Sequence, residues 1–173
     1  MSLKNYYPEL PITPRVSTPA TMGQIIMAIS RSKFPAEVKR MGYVMIRNES
    51  ANGTKINNNN TSGIQADSGR WASSLAFAGV FTTKENGTNK VRHFLAFKSL
   101  QDCITFTLER IQARGLYVGG YAHKVSKRTV KDAADLADIY KEEWVSGSSL
   151  ANPSATELAS FLSMYRQAAQ LFV

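Results

Sequence analysis

Residues 44–50, VMIRNES, close an apolar helical run on Glu49, and residues 51–71, ANGTKINNNNTSGIQADSGRW, follow as a polar loop and a glycine-aromatic segment. A lone carboxylate at the end of a buried helix is where a general acid belongs. Apolar walls disfavour its charged form, and the loop leaves room for a polar ligand. The negative end of the helix dipole favours the protonated carboxyl too. Such an acid suits cleavage of a glycosidic bond, where it protonates the departing oxygen. The plainer reading of Glu49 is an ordinary helix-ending glutamate on a solvated loop. The tract Asn57–Asn60 carries the same choice: asparagine tolerates left-handed backbone and bonds its own chain in turns, and its amide also pairs with sugar hydroxyl and acetamido groups.

Outward from this stretch, the pattern predicts a helical start, a central hairpin and a helical end. Residues 1–17 read as an extended arm, and residues 18–173 as a single domain. Thr21 and Gln24 form a capping-box pattern ahead of Ile25, Ile26 and Ile29. Pro35 is suited to begin a second helix, whose apolar face is Val38, Met41, Val44 and Met45. From Phe77 to Phe97 the period switches to two, with Asn86-Gly87 as a hairpin turn. Ser99 and Asp102 cap a third helix bearing Leu100, Ile104, Leu108 and Ile111, which ends at Gly115. A fourth is expected from about Val130 to Trp144. A last one, capped by Ser154 and Glu157, carries Leu158, Phe161, Leu162 and Tyr165.

Composition bounds the class. The 173 residues suffice for one domain with a real core, and 43% hydrophobic with 20% charged residues is the make-up of a globular chain. One cysteine, Cys103, excludes an internal disulfide framework and reads as a small buried hydrophobe. No apolar run approaches the roughly 20 residues of a membrane span, and no signal peptide is visible. The net charge of +8 favours a polyanionic partner: nucleic acid, anionic membrane or bacterial wall polymer.

Helix, glutamate, polar loop, small hairpin and further helices is an order that resembles the lysozyme-like fold. Glu49-Ser50 followed by Gly63-Ile64-Gln65 resembles the lytic transglycosylase pattern of a Glu-Ser dipeptide and a Gly-apolar-Gln turn. The segment from Asn59 to Trp71 looks still more like the bacterial wall β-N-acetylglucosaminidases of the flagellar and autolysin type. Thr83-Lys84-Glu85 is similar to their hairpin Thr-x-Glu element, and Arg92 to Ser99, RHFLAFKS, to their returning segment. The resemblance covers roughly residues 38–112. Their downstream Tyr-Ala-Thr-Asp-Pro motif is not found. Tyr121-Ala122 in GGYAH is the nearest fragment, which leaves open whether Tyr117, Tyr121 or Tyr140 flanks the scissile bond.

The resemblance implies an α+β, mainly α, lysozyme-like domain with a small antiparallel hairpin lobe beside a helical lobe, cutting peptidoglycan glycan strands. Glu49 would be the general acid and Glu85 the leading second carboxylate, with Asp67 next in line. Without either, the substrate's acetamido group assists, or Glu49 serves as acid and then base in transglycosylation. Ser50, Asn60 and Gln65 would hold N-acetyl or hydroxyl groups, and Trp71, Tyr121 and Tyr140 would line the sugar path. Such an enzyme acts in the periplasm or cell wall, as a secreted protein, a phage endolysin or a virion component.

No metal or organic cofactor is expected, since His93, His123 and Cys103 lack zinc-ligand spacing. No Gly-x-Ser-x-Gly elbow or phosphate-binding glycine loop is found either. Lys124, Lys127, Arg128 and Lys131, with Tyr117 and Tyr121 nearby, form a basic cluster that suits phosphates or is simply a solvated helix entry. The rival class is therefore a non-enzymatic virion-structural or nucleic-acid-binding module. A glutamate set in an apolar cleft favours the enzyme; a fully exposed Glu49 on a flat basic face favours binding.

Overall fold

Local side-chain caps set where most of the helices begin. In the structure, a computed structural model that describes residues 10–66, 76–84 and 88–173, α1 spans Met22–Arg31. It opens with the expected reciprocal pair: Gln24 N–H donates to Thr21 Oγ1 at 3.2 Å, and Thr21 N–H to Gln24 Oε1 at 2.9 Å. Helix α2 spans Ala36–Glu49. Pro35 stands just before it rather than as its first residue, and accepts the N–H of Lys39 at 3.1 Å. Helix α3, Leu100–Arg114, opens on Ser99, whose Oγ accepts the Asp102 N–H at 3.1 Å, and stops at Gly115 with φ +67°. Helix α5, Ala155–Leu171, carries the expected Ser154–Glu157 capping box.

The fourth helix departs from expectation. Instead of running from Val130 to Trp144, α4 covers Ala133–Tyr140 and passes into a π-helical turn, Lys141–Ser146. Asp132 sets the start, since its carboxylate accepts the N–H groups of Ala134 and Asp135. The wider turn coincides with Glu142 and Glu143, adjacent residues that are both buried. Successive α-helical residues point about 100° apart, so the widened turn is where the helix departs from that spacing.

The hairpin forms as expected, from β1, Phe77–Lys84, and β2, Val91–Phe97, antiparallel with Phe81 opposite Phe94 and a register irregularity between Phe77 and Gly79. Its expected turn at Asn86-Gly87 lies outside the described residues. Each outer edge acquires a partner. Val80 N–H donates to Pro11 O at 2.9 Å and Thr13 N–H to Val80 O at 2.8 Å, so the proline-rich arm lies parallel against β1. On the other edge, Leu95 N–H donates to Ile64 O at 3.0 Å and Ala66 N–H to His93 O at 2.8 Å. Pairing both edges removes the exposed hydrogen-bonding rows that a lone hairpin would present.

The architecture is α+β and mainly helical. The chain divides into two compact units, Met1–Ala28 with Ile46–Phe106, and Ile29–Met45 with Thr107–Val173. The first holds the hairpin. Its core is Ile64, Ala66, Phe77, Val80, Leu95, Phe97, Cys103 and Phe106, in which the Phe77 and Phe106 rings meet edge to face at 5.2 Å. The second is helical among its described residues. Val38, Met41, Val44 and Met45 are fully buried there, as are Leu108, Ile111, Leu136 and Ile139. Gly42 is the close-approach point between α2 and α3: a Cβ on it would stand 2.2 Å from Leu108 Cδ2. Among the described residues no helix is long and apolar enough to cross a membrane.

Candidate functional site

Glu49 is the last residue of α2, and the chain turns sharply after it. Asn52 N–H donates to Arg47 O at 2.9 Å and Ala51 N–H to Asn48 O at 3.4 Å, the pair of bonds that defines a Schellman closure. Three successive residues take left-handed backbone, Ala51 at φ 47°, Asn52 at 57° and Gly53 at 84°. Only Gly53 is a glycine, and it has to be: a Cβ there would lie 2.1 Å from Ala20 O. Arg47 Nε donates to Asn52 Oδ1 at 2.7 Å, bracing the corner from outside. Glu49 is thus presented on a fixed corner. It is exposed, so the apolar enclosure expected around it is absent among the described residues.

Ser50 and Asn60 do other work than the sugar contacts expected of them. Ser50 is fully buried; its hydroxyl donates to Ile46 O at 2.5 Å and accepts from Gly53 N–H at 2.9 Å. Both bonds hold the corner after Glu49. Asn60 is 6% exposed. Its Nδ2 donates to Ile64 O at 2.9 Å and Leu95 O at 2.8 Å, and its Oδ1 accepts Ile64 N–H at 2.9 Å.

The other asparagines of the tract are committed likewise. Asn57 Oδ1 accepts from Arg15 Nε at 3.1 Å. The Asn58 side chain accepts Val16 N–H at 2.8 Å and donates to Pro14 O at 2.9 Å. Asn59 Nδ2 donates to Phe97 O at 3.0 Å. Asn58 and Asn59 both have positive φ. The tract is a polar seam that joins the N-terminal arm on one side to β2 on the other. The choice left open by sequence falls, for these side chains, on the structural side.

Gln65 is exposed and sits in the segment that pairs with β2 opposite Phe94. Glu85, Asp67 and Trp71 lie outside the described residues. Tyr121 and Tyr140 belong to the second unit. Tyr121 is 47% exposed and meets the His123 ring edge to face at 5.2 Å. Tyr140 is buried, its ring 5.9 Å from that of Phe161, which makes it a core residue rather than a sugar platform.

Glu142 and Glu143 were not singled out by sequence, yet they are the buried acids of the second unit, 5% and 4% exposed. Glu143 Oε1 accepts the N–H of Ser126 at 2.7 Å and that of Val125. Glu142 accepts the Ser126 hydroxyl and lies 3.6 Å from Arg128. Asp138 has its carboxyl pushed up by burial, against the pull of Arg128. A pair of adjacent glutamates leaves no periodic signal of burial; only the partners on the preceding loop reveal it.

Among the described residues no group of three or more His, Cys, Asp or Glu side chains is clustered to hold a metal ion. No protein-family model, curated protein or solved structure matches the chain.

Proposed function

We propose that this protein cuts the glycan strands of bacterial peptidoglycan, as a glucosaminidase, muramidase or lytic transglycosylase on a lysozyme-like fold, with Glu49 as the general acid. One observation carries the reading. The three segments that resemble wall-lytic enzymes, Glu49-Ser50, Gly63-Ile64-Gln65 and Arg92 to Ser99, fold into the same unit, and the last two share backbone hydrogen bonds through Ile64, Leu95, Ala66 and His93.

In this reading the exposed corner delivers the Glu49 proton to a long, polymeric substrate that supplies part of the enclosure itself. Ser50 and Asn60 hold the corner and the Gly-Ile-Gln segment in place, and Gln65 and Trp71 are the proposed sugar contacts of that unit. Glu85 or Asp67 serves as the second carboxylate that steadies the oxocarbenium-like transition state or activates water. Failing both, the acetamido-assisted or transglycosylating route with Glu49 alone applies. The setting is the periplasm or cell wall, reached as a secreted enzyme, a phage endolysin or a virion component.

The test is digestion of purified peptidoglycan with identification of the new ends by mass spectrometry. Reducing N-acetylglucosamine, reducing N-acetylmuramic acid and anhydro-muramic ends each assign a different bond or acceptor. Intact glycan after exposure to folded protein sinks the proposal. The second reading, a non-enzymatic binding module using the basic surface, is favoured by the exposure of Glu49 and is what then remains.

A further inference from the structure

Loop 121–131 is a braced basic segment of the second unit. Ala122 N–H donates to Arg128 O at 3.1 Å and Val130 N–H to Gly120 O at 2.9 Å, closing the loop on itself with Tyr121 opposite Thr129. Lys127 takes left-handed backbone, φ 46°, at the turn. From beneath, Glu143 accepts the N–H groups of Val125 and Ser126, and Glu142 the hydroxyl of Ser126. Burying two carboxylates side by side carries a desolvation cost. Here one of their four oxygens, Glu143 Oε2, is buried with no hydrogen-bond partner. The return on that cost is a loop held in one shape.

The acids near Lys127 and Lys131 have other partners. Asp132 caps α4. Asp135 accepts the backbone N–H of Lys131 and lies 3.3 Å from Arg128. Glu142 takes Arg128 and Ser126, and Glu143 takes backbone N–H groups. Arg128 is thereby spent on bracing. The ammonium groups of Lys127 and Lys131 make no ion pair among the described residues; both lysines are exposed, on the same loop as the Tyr121–His123 ring pair. Two exposed cations and an exposed aromatic ring on one loop fit an anionic polymer with sugar rings, and a braced backbone spares the cost of ordering the loop on binding.

We propose that the Tyr121–Lys131 loop is a preformed docking surface for the stem-peptide carboxylates of peptidoglycan, with Lys127 and Lys131 as the carboxylate contacts and Tyr121 against the glycan. The choice of polymer rests on the wall-cleaving reading; the existence of an anion-docking loop does not.

Co-sedimentation with purified sacculi tests it, using the full chain with Glu49→Gln to prevent cleavage. Retention is expected to fall as salt rises, to drop about tenfold in Lys127→Ala/Lys131→Ala, and to be lost on sacculi whose carboxylates are capped as amides. Glu143→Gln, with its fold checked by circular dichroism, is expected to weaken retention while leaving both lysines in place. Undiminished retention of the double-lysine variant, or equal retention on amidated sacculi, overturns the proposal. So does binding of single-stranded DNA in preference to sacculi, which assigns the loop to nucleic acid. Cleavage is scored separately with the unsubstituted chain: sacculi bound through the lysines but never cut leave the docking surface standing and remove the enzyme, and the reverse pattern removes the surface alone.

Discussion

Asn60 and Leu95, 35 positions apart in sequence, are joined by a buried hydrogen bond from Asn60 Nδ2 to the Leu95 carbonyl at 2.8 Å. The same amide group also grips both backbone groups of Ile64, so one side chain fastens the Gly63-Ile64-Gln65 segment to β2. Three buried bonds lost together, with their partners left unpaired, predict a loss of about 2–4 kcal/mol for Asn60→Ala. Asn60→Asp is expected to do no better, because a carboxylate would face two carbonyl oxygens. Urea unfolding checks both variants; an unmoved midpoint would return Asn60 to the role of a ligand-binding residue.

Glu49 ends α2 in an exposed position, so Glu49→Gln is expected to leave stability within about 0.5 kcal/mol of the unsubstituted chain. The amide keeps the shape but cannot deliver a proton, and clearing of cell-wall suspensions is expected to fall by about a hundredfold or more. Near-normal clearing by a folded variant removes Glu49 from the mechanism. Glu85→Gln is the companion measurement. A lowered turnover with an unchanged melting temperature assigns it as the second carboxylate, and unchanged turnover moves attention to Asp67 or to the single-acid routes.

Ala51 occupies the position of a Schellman closure where glycine is favoured, with φ 47°. The left-handed penalty on an L-residue outweighs the greater freedom that glycine loses on folding. Ala51→Gly is therefore expected to stabilise the first unit by about 0.5–1 kcal/mol, seen as a raised melting temperature. If wall cleavage falls at the same time, the strained corner is part of how Glu49 is presented. Destabilisation by the glycine would show that the corner is held by something other than its backbone closure.

What was legible in the sequence was mostly local. The Thr21–Gln24, Ser99–Asp102 and Ser154–Glu157 caps each join residues three apart, and all three form. The hairpin and the end of α2 at Glu49 could be read for the same reason. The arm's pairing with β1 could not, because Pro11 and Thr13 meet Val80 through main-chain groups that every residue carries. The asparagine tract showed that polar side chains were needed but not whether for sugar or for backbone. The π-turn was hidden because Glu142 and Glu143 are drawn inward by Ser126, Val125 and Arg128, partners set by tertiary structure.

Gly42 tests the packing of α2 against α3. Alanine is the better helix former by about 1 kcal/mol, which taken alone predicts stabilisation by Gly42→Ala. The new methyl would stand 2.2 Å from Leu108 Cδ2, and Leu108 is fully buried, so the leucine cannot swing out to water. Overpacking of this kind costs about 1–3 kcal/mol. The clash is expected to win, with a net loss of up to about 2 kcal/mol by urea unfolding. Gly42→Ala paired with Leu108→Ala should recover part of it, through a favourable coupling that distant sites do not show. Stabilisation by the single substitution would mean that the helices part freely at this point.

Glu157 gives a pH signature. The Lys141 ammonium, which donates to Glu157 Oε1 at 2.6 Å, and the Ser154 N–H at the capping box hold its carboxyl down at about 2. A carboxyl lowered on folding contributes stability that is present above its unfolded value near 4.5 and is lost as pH falls toward about 2. The side chain is exposed, so the contribution is modest and screened by salt. Glu157→Gln keeps an acceptor for the Ser154 N–H but does not titrate. The melting temperature of the unsubstituted chain is therefore expected to fall more steeply than that of the variant between about pH 5 and about pH 2, and the gap to shrink in high salt. Other carboxylates titrate in both proteins and cancel in the comparison. Parallel curves would show that the box acts through its hydrogen bonds alone and that the Lys141 pair adds nothing to the fold.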